Sequence, residues 1–389
     1  MAFSSIDPHD TFFADLEKLK EHIGDARIVQ LGEQSHGDGT CFETKIRLIK
    51  FLHQEMGFDV LAFESGLYDC HKAWQSFQQG KSPIKSASEG VFGIWTGSRQ
   101  TGEMWNYLAE QATGNNPLEL VGFDCQFTAA ASRKLRDELA DLSDNLDGAG
   151  FSDEEWAAFD KSLRRLVANE KPGQSRDEFL ASLKKLADAV ANADESKVSK
   201  SDIQFWKQQF ESMADHCGRQ FEDREVMQNV MGRDQQMARN LIWLAKERYP
   251  DRKIIVWAAS FHIMRNPPGI VSINRSVDYS EMIQMGHRVH EALGDEVYTI
   301  GFTAYEGKAG AYFRPGFDVE TATEGTLESL CMAAGLEHGF VPFRGTKDSA
   351  PWLHEELHSR PMGYSWMRAK WPNHFDAMIF NKTMKPSTR

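Results

Sequence analysis

Ile28-Val29-Gln30-Leu31 runs directly into Gly32-Glu33-Gln34-Ser35-His36-Gly37-Asp38-Gly39, and a helical stretch follows. A short β-rich apolar run, a glycine-rich polar loop and an amphipathic helix make up the repeating unit of an α/β sheet. The same unit recurs along the chain, at Val60–Phe63, Leu118–Phe123, Ile254–Ala258, Val297–Phe302 and Asp376–Phe380. Several of these runs are almost continuously apolar, as strands covered by helices on both faces must be. The expected fold class is therefore α/β, with a mixed, mostly parallel central sheet flanked by helices and an inserted helical subdomain.

The insertion shows as a change of character between about 128 and 250, where long, charged, amphipathic stretches replace the apolar runs. Helices are expected over Ala129–Leu146, Asp153–Asn169, Arg176–Ala193, Lys200–His216 and Glu222–Arg248, with a polar turn at Asn192–Ser201. This divides the chain into a catalytic core, 1–127 with 240–389, and a helical subdomain, 128–239. No repeat at solenoid periods is visible. The tail Met384–Arg389 is expected to fray.

Bulk composition narrows the function classes. The chain has 389 residues and a net charge of -13, which disfavours a general nucleic-acid binder or a partner of anionic membrane. No stretch approaches the roughly 18 uninterrupted apolar residues of a membrane helix, and the N-terminus lacks the pattern of a signal peptide. The five cysteines are scattered, odd in number and without CxxC spacing, pointing to reduced thiols in a cytoplasm. A cytoplasmic enzyme or small-molecule binder, monomeric or a small homo-oligomer, is the expectation.

In open parallel sheets ligands bind beyond the carboxyl ends of the strands. Just past those ends stand Glu33 and His36, then Glu64, then Asp124 with Gln126, and then His262. Carboxylates and histidines from four strands would thus converge on one edge. On the helix after the first loop, Lys45 falls on the same stripe as Phe42, Ile46 and Ile49, within reach of Glu33 or Glu64 or else snorkelling to water. Arg233 and Asp234 sit on the buried stripe of the helix Glu222–Arg248, beside Met237, Leu241 and Leu244. Buried charges must be paired, so the plain structural alternative is an Arg233–Asp234 ion pair.

Weaker signals remain. His287 and His290 follow Met285-Gly286 on an expected helix, where either would line a pocket or face water. His354-Glu355-Glu356-Leu357-His358 has the outline of a zinc HExxH helix, but Pro351 lies close upstream and no third ligand is evident. The chain has no GxGxxG, no Walker sequence and no GxSxG elbow, which disfavours nucleotide binding and a Ser-His-Asp mechanism. A histidine flanked by carboxylates suits a general base, and without an evident nucleophilic Ser or Cys the simplest reaction is direct activation of water. Lys45, His262, Arg233 or loop N–H groups would then face the oxyanion. The same side chains are competent ligands for a divalent metal, so a cofactor-free site and a metal site both stay open.

These residues resemble the erythromycin esterase family. Gly32-Glu33-Gln34-Ser35-His36-Gly37 followed by Phe63-Glu64 is similar to its GExxHG…E signature, and Gly122-Phe123-Asp124-Cys125-Gln126 to its GxDxQ segment. Arg233-Asp234-Gln235-Gln236-Met237-Ala238-Arg239-Asn240 is similar to its RDxxMAxN helix, and Met285-Gly286 stands at its MG pair. The match spans roughly 25 to 310. The resemblance implies hydrolysis of a linear or cyclic carboxylic ester by a His-activated water. His36 would be the base, Glu33 its partner and Glu64 a second essential carboxylate. Catalytic positions are thus His36, Glu33, Glu64 and His262; substrate-binding positions are Lys45, Asp124, Gln126, Arg233, Asp234 and His287; no metal ligand is assigned.

Two departures stand out. In Trp257-Ala258-Ala259-Ser260-Phe261-His262, Ala259 replaces the first histidine of the family's WAHNxH, and Lys45 stands where the family often has arginine. The first bears on macrolide lactones more than on hydrolysis in general. Other readings of the same scaffold are non-hydrolytic acyl or ring chemistry in secondary metabolism, and a non-catalytic metal or small-molecule binder.

Overall fold

The computed structural model describes residues 1–222, 225–273, 277–310 and 315–389. Its strands are β1 (Ile28–Leu31), β2 (Val60–Gly66), β3 (Glu119–Asp124), β4 (Ile254–Trp257), β5 (Val271–Ser272), β6 (Val297–Ala309), β7 (Phe317–Val319), β8 (His338–Pro342), β9 (Leu357–Ser359), β10 (Met367–Ala369) and β11 (Ala377–Met384). The main sheet has the order β3-β2-β4-β1-β6-β11-β8, with β7 paired to β6. The first six strands in that order are mutually parallel, and they are the six apolar runs expected from the sequence. Strand β8 closes the edge antiparallel to β11.

β1 is hydrogen-bonded on both sides, to β4 and to β6, and all four of its residues are buried. Successive side chains alternate between the two faces. Ile28, Val60, Ala62, Ile254 and Val256 join the core on one face, whereas Val29, Leu31, Leu61, Phe63 and Trp257 join the core on the other. The helix Gly39–Met56 packs on the second face through Phe42, Ile46 and Ile49, and stops where Gly57 adopts a left-handed conformation and donates to Leu52.

The inserted helices Leu135–Asn145, Asp153–Val167, Arg176–Ala191 and Lys200–Gln220 cover the first face, their apolar residues continuous with the sheet core. Two begin at capping boxes, Ser152 with Glu155 and Ser175 with Glu178. The next helix, Val226–Trp243, runs unbroken through position 240, so the expected boundary at 239/240 falls inside it. The expected start at Glu222 adjoins positions 223 and 224, which lie outside the described residues.

One outline is ruled out and one expectation is corrected. His354-Glu355-Glu356-Leu357-His358 is not helical: Pro351–His354 is a short 3-10 turn, and His358 lies on β9, paired antiparallel with β10. An HExxH geometry is therefore absent there. The tail is not frayed, because Lys385 donates to Thr40 Oγ1, Ser387 N–H donates to the Gly37 carbonyl, and Arg99 N–H donates to the Thr388 carbonyl. Among the described residues no helix is long and apolar enough to cross a membrane. The five cysteines are buried and unbridged.

Candidate active site

β1, β2, β3 and β4 lie side by side and parallel in the order β3-β2-β4-β1, so the loops after them open on one edge. The loop after β1 is held from several sides. Ser260 N–H donates to the Glu33 carbonyl, Gly363 N–H to that of Gln34, and Ser35 Oγ to that of Gly310. Its two chemical groups, Glu33 and His36, are thereby fixed relative to the sheet.

Glu33 is fully buried and accepts on both oxygens. Oε1 is 2.7 Å from His36 Nδ1 and 3.1 Å from the Trp95 indole nitrogen, and Oε2 is 2.9 Å from Lys45 Nζ. Since Glu33 acts as acceptor on every side, His36 Nδ1 carries a proton and Nε2 is the free lone pair. The His36 side chain is 37% exposed, whereas those of Glu33 and Lys45 are closed off from solvent. Nε2 makes no hydrogen bond among the described residues. It borders a narrow cavity of about 50 Å³ lined also by Gly37, Ile94, Gly97, Gly310 and Ser387.

A second imidazole is arranged differently. His262 Nδ1 is 2.6 Å from Asp234 Oδ1, and its Nε2 is 3.3 Å from both Glu64 Oε1 and Arg233 Nη1. Burial disfavours its cation, but the charges of Asp234 and Glu64 outweigh burial and raise its pKa. Glu64 is driven the other way. Burial pushes it up, yet His262, Arg233 and His36 overcome this and hold it at about 2. Its Oε2 accepts the Ala259 N–H at 2.9 Å. Arg233 bridges Glu64 (3.0 Å) and Asp124 (2.7 Å); burial opposes its charge, but Asp124 and then Glu64 raise its pKa well above normal. Asp124 also receives the backbone N–H of Gln126.

The anticipated Arg233–Asp234 pair is thus replaced by two separate bonds. Adjacent helical side chains point about 100° apart, so Arg233 reaches β2 and β3 while Asp234 reaches His262. Asp234 is fixed in turn by the Met285 N–H (3.4 Å). The close approach that permits this needs the next residue, Gly286, where a Cβ would lie 1.9 Å from the Ile263 carbonyl oxygen.

His36, Glu33, Glu64, Asp124, Gln126, Arg233, Asp234, His262 and Lys45 are therefore brought to one edge. His287 is not. It lies beside Asn266 and Glu291 on another cleft, because its helix leads back to the amino end of β6. Lys45, with no exposed side-chain surface, holds Glu33 and does not face the cleft. Asp124 and Asp234 are likewise buried beneath Arg233 and His262. Trp95 was not signalled by the sequence: it sits on the four-residue helix Gly93–Thr96, too short for periodicity. Among the described residues no group of three or more His, Cys, Asp and Glu is placed to hold a metal ion. The donor set explains this, since the ammonium of Lys45 and the guanidinium of Arg233 already occupy the carboxylates a cation would need.

Comparison with known proteins bears on this arrangement. The family model described as erythromycin esterase matches residues 53–384. The chain belongs to the erythromycin esterase family. Within that family, it is similar to a putative hydrolase, YbfO, of Bacillus subtilis (strain 168), at 29% identity over 96% of this chain and 87% of the relative. It is also similar to an erythromycin esterase type II of Escherichia coli, at 23% identity over 95% of this chain and 92% of the relative. An erythromycin esterase mutant, EreC, solved in its open conformation, shares the fold with a TM-score of 0.67, at 16% identity over 98% of this chain and 97% of that one. Membership of the erythromycin esterase family marks the chain as a hydrolase-family protein with a mixed α/β fold.

Proposed function

We propose that the chain hydrolyses carboxylic esters or lactones with a water activated by His36. The observation that carries this reading is the asymmetry of the two imidazoles. His36 has Nδ1 anchored on Glu33, a partly exposed ring and no hydrogen bond to Nε2 among the described residues, whereas His262 has a carboxylate against each nitrogen. The first is set up to take a proton, the second to hold one. No serine or cysteine among the described residues hydrogen-bonds to either ring, which favours water as the nucleophile.

In the reaction, Nε2 of His36 accepts a proton from water as the oxygen adds to the ester carbonyl carbon. Glu33 stabilises the imidazolium, and Lys45 keeps Glu33 charged and in place. The carbonyl oxygen becomes an oxyanion next to Arg233 and His262, both cationic and both held by buried carboxylates. Collapse breaks the carbon–alkoxide bond, and the leaving oxygen takes the proton from a histidine. The partner is a small organic ester; unpaired cysteines support a cytoplasmic setting.

The test is a hydrolysis screen of the purified, EDTA-treated protein on simple esters, lactones and macrolides, with His36→Ala alongside. Turnover that vanishes in the variant supports the reading. No turnover, with or without added divalent metals, would overturn it.

A further inference from the structure

At the opposite edge of the sheet a larger cleft of about 520 Å³ opens. Its lining includes Arg265, His287, His290, Arg344 and His354. Its position follows from the topology. Asp376 precedes β11, and its N–H donates to the carbonyl of Thr299 near the start of β6; Arg344 follows the antiparallel β8; and Arg265 N–H donates to the carbonyl of His374, also ahead of β11. All of these lie at the amino ends of the parallel strands, whereas Glu33 follows β1, and Glu64 and Asp124 lie in the carboxyl-terminal parts of β2 and β3.

The cleft is built around two arginines on one buried carboxylate. Arg265 Nη1 and Arg344 Nε both bond the same oxygen of Asp376, at 2.9 Å and 2.8 Å, and the other oxygen accepts the Thr299 N–H at 2.7 Å. Arg265 is buried, and each guanidinium gives a further N–H to a carbonyl, of Pro372 and Val297. Two cations against one fully engaged carboxylate leave a surplus of positive charge facing the cleft, and among the described residues the only other acidic side chain lining it is Asp295, which is exposed. Arg344 Nη1 makes no hydrogen bond among the described residues. His290 Nδ1 is buried and has no partner among the described residues. Burial, and next the Arg265 guanidinium, lower the pKa of His290, as expected in a positive field. Nη1 of Arg344 is a donor without an acceptor among the described residues, and the His290 ring lines the same pocket, which is large enough for a small organic molecule.

We infer that this cleft is a second ligand site that binds a small oxyanion, a phosphate or carboxylate group, through Arg344, His290 and the Arg265 field. It is lined by other side chains than the hydrolytic site and does not depend on the proposed reaction. A planar or tetrahedral oxyanion offers the acceptors that these donors lack, and guanidinium recognises both kinds.

The inference is tested by calorimetric titration of the whole chain at constant ionic strength, with inorganic phosphate in one arm and acetate in the other. Saturable binding of at least one anion is expected, weakened roughly tenfold or more in Arg344→Gln. His290→Gln is the second variant, useful if Arg344→Gln folds poorly, and should weaken binding as well; Asp376 keeps Arg265 in either case. His36→Ala should bind as the wild type does. Preference between the two anions identifies the group. Absence of saturable binding to the wild type, binding indifferent to both Arg344→Gln and His290→Gln, or binding abolished by His36→Ala would each overturn the inference.

Discussion

The ammonium of Lys45 lies 4.0 Å from the centroid of the Trp257 indole ring and, at the same time, 2.9 Å from Glu33 Oε2. A buried cation is thus enclosed between a π-face and a carboxylate, with the Ala258 carbonyl at 3.5 Å. Full burial makes this pair a matter of stability as well as of rate. Removing one partner leaves Glu33 charged and uncompensated, at a cost of about 3–5 kcal/mol. Urea denaturation of Lys45→Met should show that loss together with lost turnover. A variant as stable as the wild type would mean that the Lys45–Glu33 pair contributes nothing to folding.

His36→Ala has the opposite signature. Glu33 keeps Trp95 and Lys45 as donors, and the His36 ring is partly exposed. Stability should change by less than about 1 kcal/mol, while hydrolysis falls by about 10²–10⁴-fold. Thermal melts and steady-state kinetics on the same preparation separate the two effects.

Trp95→Phe keeps a ring against His36 and Phe63 but deletes the N–H donated to Glu33. Glu33 then holds His36 and Lys45 with one donor fewer, so kcat should fall in steady-state kinetics. An unchanged kcat would assign Trp95 to packing alone.

Stability should depend on pH through Glu64 and His262 with opposite signs. Glu64 is held at about 2, below its ordinary 4.5, so its contribution is complete above 4.5 and lost as pH falls toward 2. The pKa of His262 is raised above 6.5, so its contribution is complete below 6.5 and lost as pH rises through the raised value. Denaturant midpoints measured across pH should fall on both sides. Glu64→Gln should flatten the acid side and, by removing one of the charges that raise His262, shift the alkaline decline to lower pH.

Ala259→His restores the side chain that the family usually carries there. Ala259 is half-buried, and its N–H already contacts Glu64, so an added imidazole would lie beside the oxyanion groups. Macrolide hydrolysis should rise in this variant. If it does not, the limit is the shape of the cleft and not the missing histidine.

What could be read beforehand follows from where each signal is encoded. The six parallel strands are legible because burial on both faces forces apolar runs, as in Ile254–Trp257. Strands such as Leu357–Ser359 and Phe317–Val319 are three residues long and lie at edges, where no such constraint acts. Glu33, His36, Glu64, Asp124 and His262 are legible because each follows closely on an apolar run, although Glu64 and Asp124 prove to belong to the polar ends of β2 and β3 themselves. Whether Lys45 pairs with Glu33 or Glu64, and which edge His287 joins, depends on how a helix sits against the sheet. That is set by tertiary packing such as the contact of Gly286 with Ile263. The tail looked free because its partners, Gly37, Thr40 and Arg99, are 289 to 350 residues away (388 − 99 and 387 − 37).

The placement of β1 has a consequence for how the protein is made. Ile28 pairs with Ile254 on one side and with Val297 on the other, separations of 226 and 269 residues (254 − 28 and 297 − 28). As the chain emerges from the ribosome, the strand that carries Glu33 and His36 is among the first to appear, and it waits for both neighbours until most of the chain has been synthesised. Contacts this distant close slowly and leave apolar strand edges open meanwhile. Reactive competence is therefore acquired late and all at once, so a nascent or interrupted chain is an aggregation hazard for chaperones to shield and not a partly working catalyst.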